Sequence, residues 1–254
     1  MSTPMTIFNV VDYGADPSGT TDSAGAINSA FLAAFNPPYG NTVYFPPGNY
    51  LVESTITVAW DGTHGVNVLG ASGSGSGISN INYQPRPGNN TDGTACFAII
   101  GMNWSYWQGI GVNLGGNGTS ANQVAFDFQV TSSKLGQGNN LMQCCNVNMQ
   151  GTGGGHIGFR FSQYNSGSPN PYVDQGSNIS GTTLLNCTIN GDFQGPGHPP
   201  STSIGVQFGG GEVKPNRVIG CAVGGLGCDY LVAASLRCCR RVYLLPSSPS
   251  RLTM

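Results

Sequence analysis

Asp127, Arg160 and Gln207 each sit at the centre of an apolar triplet: Phe126-Asp127-Phe128, Phe159-Arg160-Phe161 and Val206-Gln207-Phe208. Successive side chains of a strand point to opposite faces, so with the flanking apolar residues inward these three form an outward row. Such a row supports two readings. As a cross-strand pair, Asp127 and Arg160 would contribute at most about 1 kcal/mol. As a reactive row, Arg160 would engage a substrate carboxylate and Asp127 would serve as acid or base. Cleaving a glycosidic bond by hydrolysis requires two carboxylates, about 5 to 9.5 Å apart depending on stereochemistry. Asp192 and Glu212, the latter following Gly209-Gly210-Gly211, supply the second carboxylate if their loops fold over the row. Taken singly, each of these two reads as a solvated loop acid.

The segment Asn103-Trp104-Ser105-Tyr106-Trp107 clusters three aromatic side chains between two strands. Sugars stack on rings with a broad apolar face and a polar tip, which makes Trp104, Tyr106, Trp107 and the nearby-row amide Gln207 candidate substrate contacts. Local core or a subunit contact is the competing reading, because alternation cannot send all three rings inward. His156 and His198 lie in glycine-rich loops without partners in sequence, and the glycine run from Gly70 to Gly77 lacks the Lys-Ser/Thr of a phosphate loop. Cys96, Cys144, Cys145, Cys187, Cys221, Cys228, Cys238 and Cys239 include no CxxC pair and no histidine at zinc-finger spacing. No metal site and no obligatory cofactor are expected.

Elements that could hold these residues follow from composition and repetition. Charged residues are only 8% of the 254, while glycines number 40 and asparagines 24, which excludes a coiled coil or a charged helical bundle. A hydrophobic fraction of 39% argues for a folded, turn-rich β protein. After Asp22, a good N-cap, Ile27, Ala30, Phe31, Ala34 and Phe35 share one face, predicting a helix over 23–35 that Pro37 and Pro38 stop. Then short strands repeat. Phe97-Ala98-Ile99 joins the three triplets above as a first strand. A second strand follows each, at Ile110-Gly111-Val112, Cys145-Asn146-Val147, Cys187-Thr188-Ile189 and Cys221-Ala222-Val223, at intervals of 35, 42 and 34 residues. Units too small to bury a core alone, stacked at near-constant spacing, predict a β-solenoid. Cys145, Cys187 and Cys221 then form an inward packing column. Asn113, Asn148 and Asn190 form a ladder at the strand ends, where asparagine takes a left-handed turn. The boundaries are 1–53 for an N-terminal cap, 54–234 for the coils and 235–254 for a basic tail.

NVVDYGADPSGTTDSAGAI, NTVYFPPGNYLV and STITVAWDGTHGVNVLGASGSG, spanning residues 8–78, resemble the N-terminal portion of the pectate lyase superfamily. The resemblance implies an all-β fold, a single-stranded right-handed parallel β-helix with an N-terminal capping α-helix. It further implies a polysaccharide-facing groove along one sheet and, as in viral members, a homotrimer. Polysaccharide is then the expected partner, bound and cleaved by a glycoside hydrolase or a lyase; the alternative is a structural or adhesive β-helix such as a phage tail component. Polygalacturonases carry Asn-Thr-Asp, Asp-Asp, Gly-His-Gly and Arg-x-Lys motifs. Here Asn90-Thr91-Asp92 is present, Asp-Asp is absent, and only Gly155-His156-Ile157 and a bare Arg217 follow, so that mechanism does not transfer. Calcium would enter only for a lyase.

Residues 1–236 hold eleven acids and five bases, whereas Arg237, Arg240, Arg241 and Arg251 crowd the last stretch. A body this acidic is not expected to bind nucleic acid. No apolar run is long enough for a membrane span, and Met1 to Thr6 do not read as a signal peptide. An extracellular or virion-associated location is expected. The tail, with its vicinal cysteines and no acid, reads as a truncation, an altered reading frame or a disordered end, the alternative being a short capping strand at Arg241 to Leu245.

Overall fold

The computed structural model describes residues 6–36, 40–59, 65–71, 78–86, 94–115, 122–130, 137–150, 155–163, 178–191, 202–209, 212–213, 216–224 and 228–233. Its strands stack into parallel sheets. A first sheet holds Ile7–Asn9, Thr42–Phe45, Asn67–Gly70, Tyr106–Gln108, Leu141–Gln143, Thr183–Leu185 and Arg217–Ile219. A second holds Gly48–Val52, Ser79–Tyr83, Ile110–Leu114, Asn146–Met149, Thr188–Asn190 and Ala222–Gly224. A third holds Ile56–Ala59, Thr94–Ile100, Gln123–Val130, Ile157–Gln163, Ile204–Gly209 and Cys228–Ala233. Each coil runs through the three in turn, which is a parallel β-helix. A small sheet of Gln137–Gly138, Asn178–Ser180 and Glu212–Val213 precedes the first-sheet strands of three coils.

The repeat is in the expected register. Phe97, Phe126, Phe159 and Val206 are direct partners on successive rungs, as are Val112, Val147, Ile189 and Val223. Rings superpose inside: Phe97 on Phe126 at 5.4 Å, Phe126 on Phe159 at 5.0 Å, Phe128 on Phe161 at 4.8 Å and Phe161 on Phe208 at 5.2 Å, all nearly parallel. The sulfur column also forms. Cys145 and Cys187 are buried and Cys221 half-buried, each with its thiol toward the carbonyl two residues before it, at 3.6 to 3.7 Å.

Two features of the coil lie outside the two-strand reading. Each coil has a third short strand, in the first sheet, that sends Val43, Val68, Trp107, Met142, Leu184 or Val218 into the core, joined by Phe45 in the first of them. The asparagine ladder also forms differently. Asn148 Nδ2 donates to Asn113 Oδ1 at 3.0 Å and Asn190 Nδ2 to Asn148 Oδ1 at 2.8 Å, with Asn82 extending the row, but all four are outward residues within strands. Left-handed residues stand instead directly after the first-sheet strands, at Gly109, Cys144, Asn186 and Gly220, with φ between 52° and 71°. A second polar row, buried at the corner before the first sheet, holds Ser105, Asn140, Thr182 and Asn216. Asn140 Oδ1 accepts from the Ser105 N–H at 3.0 Å and Oγ at 2.7 Å, and its Nδ2 donates to Met102 O at 3.1 Å.

At the N-terminus, α1 (Ala24–Ala34) starts where Asp22 Oδ1 accepts the Ala24 N–H at 3.0 Å. The segment around it also serves the outer edges of the first coil. Asn49 N donates to Pro17 O at 2.9 Å, Glu53 N to Asp22 Oδ1 at 3.0 Å and Thr57 N to Asn28 Oδ1 at 2.9 Å. Ladder donors that would otherwise face water or another chain are thereby satisfied. Asp16 fixes the preceding loop: hydrogen bonds from the Ser18 and Thr20 hydroxyls, then from the Ser18 and Thr21 amides, hold its carboxyl well below the usual carboxylate range. Residues 235–254 lie outside the described residues.

Candidate functional site

The third sheet places Asp127, Arg160 and Gln207 in one row, in direct register. The expected exposed row is not what forms at its first two members. Asp127 is 0% and Arg160 4% exposed. Arg160 Nε donates to Asp127 Oδ1 at 2.8 Å and its terminal nitrogen to Oδ2 at 2.6 Å, a bidentate pair, and Gln129 Nε2 also donates to Oδ2. Pointing outward from a strand guarantees only which face a residue occupies; here that face is excluded from solvent. Both carboxylate oxygens of Asp127 are thus taken up by neighbouring side chains, which leaves neither turned toward a substrate. Gln207 remains half-exposed beside them.

The second carboxylate is placed in part. Glu212 stands on the last strand of the small sheet, whose middle strand Asn178–Ser180 lies beside Gln123–Val130 and Ile157–Gln163. Asp192 lies outside the described residues.

The aromatic segment divides. Trp107 is 0% exposed, meets Phe97 edge-on at 5.4 Å and Phe126 at 6.1 Å, stacks on Phe31 at 5.9 Å, and donates from Nε1 to Ser105 Oγ at 3.1 Å. It is a core residue, which corrects its assignment as a sugar contact: in a three-residue strand it is the one side chain that points inward. Tyr106, its neighbour, faces outward and half-buried, with Oη donating to Gln143 Oε1 at 2.9 Å. Trp104 is 70% exposed and sits at φ 58°. The equivalent corner residues on other rungs are Gly40, Asn139 and Gly181, also left-handed. Glycine and asparagine tolerate that conformation; for a bulky ring it is an outlier of the kind that accompanies functional sites.

The candidates therefore form two groups, the row on the third sheet and the aromatics at the corner and outer face of the first. His156, singled out as a loop histidine, is buried, with Nδ1 accepting from Gln123 N at 3.2 Å and its own N–H donating to Ser203 Oγ at 3.1 Å. Among the described residues no three His, Cys, Asp or Glu side chains gather as a group that could hold a metal ion. No helix among them is long and apolar enough to cross a membrane.

A family model described as rhamnogalacturonase A/epimerase, pectate lyase-like, matches residues 7–195. Over 49 residues the chain is 43% identical to an alpha-1,3-galactosidase A of Peterkaempfera griseoplana, a stretch covering 19% of this chain and 7% of that protein. Among solved structures, it is similar to ORF18 of Geobacillus virus E2, at 16% identity and TM-score 0.43, covering 88% of this chain and 52% of that one. It is also similar to PfbA, a surface adhesin of Streptococcus pneumoniae, at 17% identity and TM-score 0.39, covering 84% and 63%. The chain thus spans a small part of the curated relative and less than two thirds of either structure.

Proposed function

The chain belongs to the rhamnogalacturonase A/epimerase, pectate lyase-like family, and from that premise we propose that it binds a polysaccharide through the outside of a right-handed parallel β-helix capped by α1, and cleaves it. The observation that carries the binding reading is Trp104, a large ring held into solvent at a backbone position its neighbours on other rungs fill with glycine or asparagine. Such a ring offers a sugar the apolar face on which it stacks. In this reading Trp104 and Tyr106 offer glycan contacts at the first sheet, and Gln207 offers a distinct hydrogen-bonding contact where the third sheet stays open. The Asp127–Arg160 pair fixes the row, and proton transfer falls to Glu212 and Asp192 rather than to Asp127.

The closed bonding of Asp127 also favours a second reading, a non-catalytic adhesive or virion β-helix that holds glycan without cutting it. A panel of polysaccharides assayed for new reducing ends and for ultraviolet-absorbing unsaturated products separates hydrolase, lyase and binder. Release of either product, lost in Glu212→Gln, supports cleavage; retention without product supports the adhesive reading; neither retention nor product on any polymer overturns the proposal.

A further inference from the structure

The outward faces of the first and second sheets are built from the same coils yet differ in chemistry. On the second sheet the outer residues are mainly asparagines tied to one another, a face suited to water. On the first sheet, Val43, Val68, Trp107, Met142, Leu184 and Val218 point inward, so their neighbours point out. Those neighbours include Tyr44, Leu69, Tyr106, Leu141, Leu185 and Ile219, every one half-buried rather than covered. Between them stand amides such as Gln108 and Gln143, and Arg217 is the one charged residue in the described strands of this first sheet. Trp104 projects at the edge of this face.

Its dimensions decide what would cover it. Seven stacked strands at a spacing of ~4.8 Å, each about three residues wide at ~3.3 Å per residue, make a stripe roughly 30 Å long and 10 Å across. A stable protein interface takes about 800 Å² from each partner, more than twice such a stripe. A single extended polymer fits it. Rings and aliphatic side chains to receive the faces of sugars, amides to receive hydroxyls, and almost no charge together specify a neutral glycan.

We infer that the outer face of the first sheet is a binding track for a neutral polysaccharide strand lying along the solenoid axis, separate from the Asp127–Arg160–Gln207 row of the third sheet. The inference rests on the reading that this chain binds polysaccharide and adds where, and of what charge. Tyr106 and Leu141, partners on adjacent rungs, lie at its centre.

Affinity electrophoresis of the full chain through gels containing dextran, laminarin, xyloglucan, hydroxyethylcellulose, galactomannan or polygalacturonate tests it. At least one neutral polymer should retard the protein. Tyr106→Ala should weaken that retardation about tenfold, the loss expected of one stacking platform. Leu141→Gln, which replaces an apolar side chain with an amide of similar size, should do the same and serves if Tyr106→Ala does not fold. Thr188→Ala, on the second sheet, should behave as wild type. Retention by a neutral polymer that both first-sheet variants preserve overturns the track but leaves polysaccharide binding standing, and so does retention by polygalacturonate alone. Failure of every polymer to retard the wild type overturns both. Sedimentation that shows these variants dissociating an oligomer, with retention unchanged, replaces the glycan with a second copy of the chain and also overturns the track.

Discussion

Arg160 grips both carboxylate oxygens of Asp127 from the adjacent rung, at 2.8 and 2.6 Å, and neither side chain is more than 5% exposed. Breaking such a pair leaves an uncompensated charge out of water. Arg160→Met or Asp127→Leu alone should therefore cost about 3 to 5 kcal/mol, whereas the double variant should recover most of the loss, since replacing both partners with apolar groups is often neutral. Urea denaturation of the three variants checks this. A single variant within 1 kcal/mol of wild type would show the pair to be solvent-screened after all.

Trp104 and Trp107, three residues apart, should respond oppositely. Trp107→Ala removes a ring from the core and should cost about 3 to 5 kcal/mol. Trp104→Gly relieves a left-handed strain of about 1 to 2 kcal/mol while loosening the unfolded chain, and should leave stability within about 1 kcal/mol of wild type. Glycan retention should fall in Trp104→Gly. Thermal melts beside affinity electrophoresis separate the two effects.

The two polar rows should differ in the same way. Asn140→Ala removes three hydrogen bonds and strands the buried Ser105 N–H, at a cost of about 1 to 3 kcal/mol for that donor alone. Asn148→Ala, on the half-exposed outer ladder, leaves its neighbours in reach of water and should cost less than 1 kcal/mol. Equal losses would show the outer ladder to be as essential as the inner one.

Alkali should probe the sulfur column. Contact with the Cys145 thiol, and then burial, raise Cys187 above the ordinary value of 9.0, and contact with Cys187 together with burial raises Cys221. The folded state thus keeps protons that the unfolded chain releases, so this contribution is fully present below pH 9 and is lost as pH rises toward the folded values. Stability should decline above pH 9, and Cys187→Ala should make that decline shallower. Parallel slopes for the two proteins, measured by denaturant midpoint against pH, would place the thiols outside the linkage.

The sequence by itself determined the repeat and its register. Phe126-Asp127-Phe128 and Phe159-Arg160-Phe161 alternate with the two-residue period of a strand, and in a stacked solenoid that period alone fixes which residues superpose; Asp127 opposite Arg160 was therefore legible before any coordinates. The family resemblance was legible for a similar reason, since it lies in the contiguous segment that makes α1 and the first coil. Only the tertiary structure decided the rest. Beyond Thr42–Phe45, where Val43 and Phe45 alternate inward, the first-sheet strands are too short to show a period, so the rest of that sheet, with Trp107 in the core and Tyr106 outside, emerged only when the chain closed each coil. The same closure chose the left-handed corners, and with them the exposure of Trp104 and the in-strand position of Asn113, Asn148 and Asn190. Alternation told which face Asp127 and Arg160 occupy, but burial depends on what packs against that face, a long-range property that no local pattern encodes.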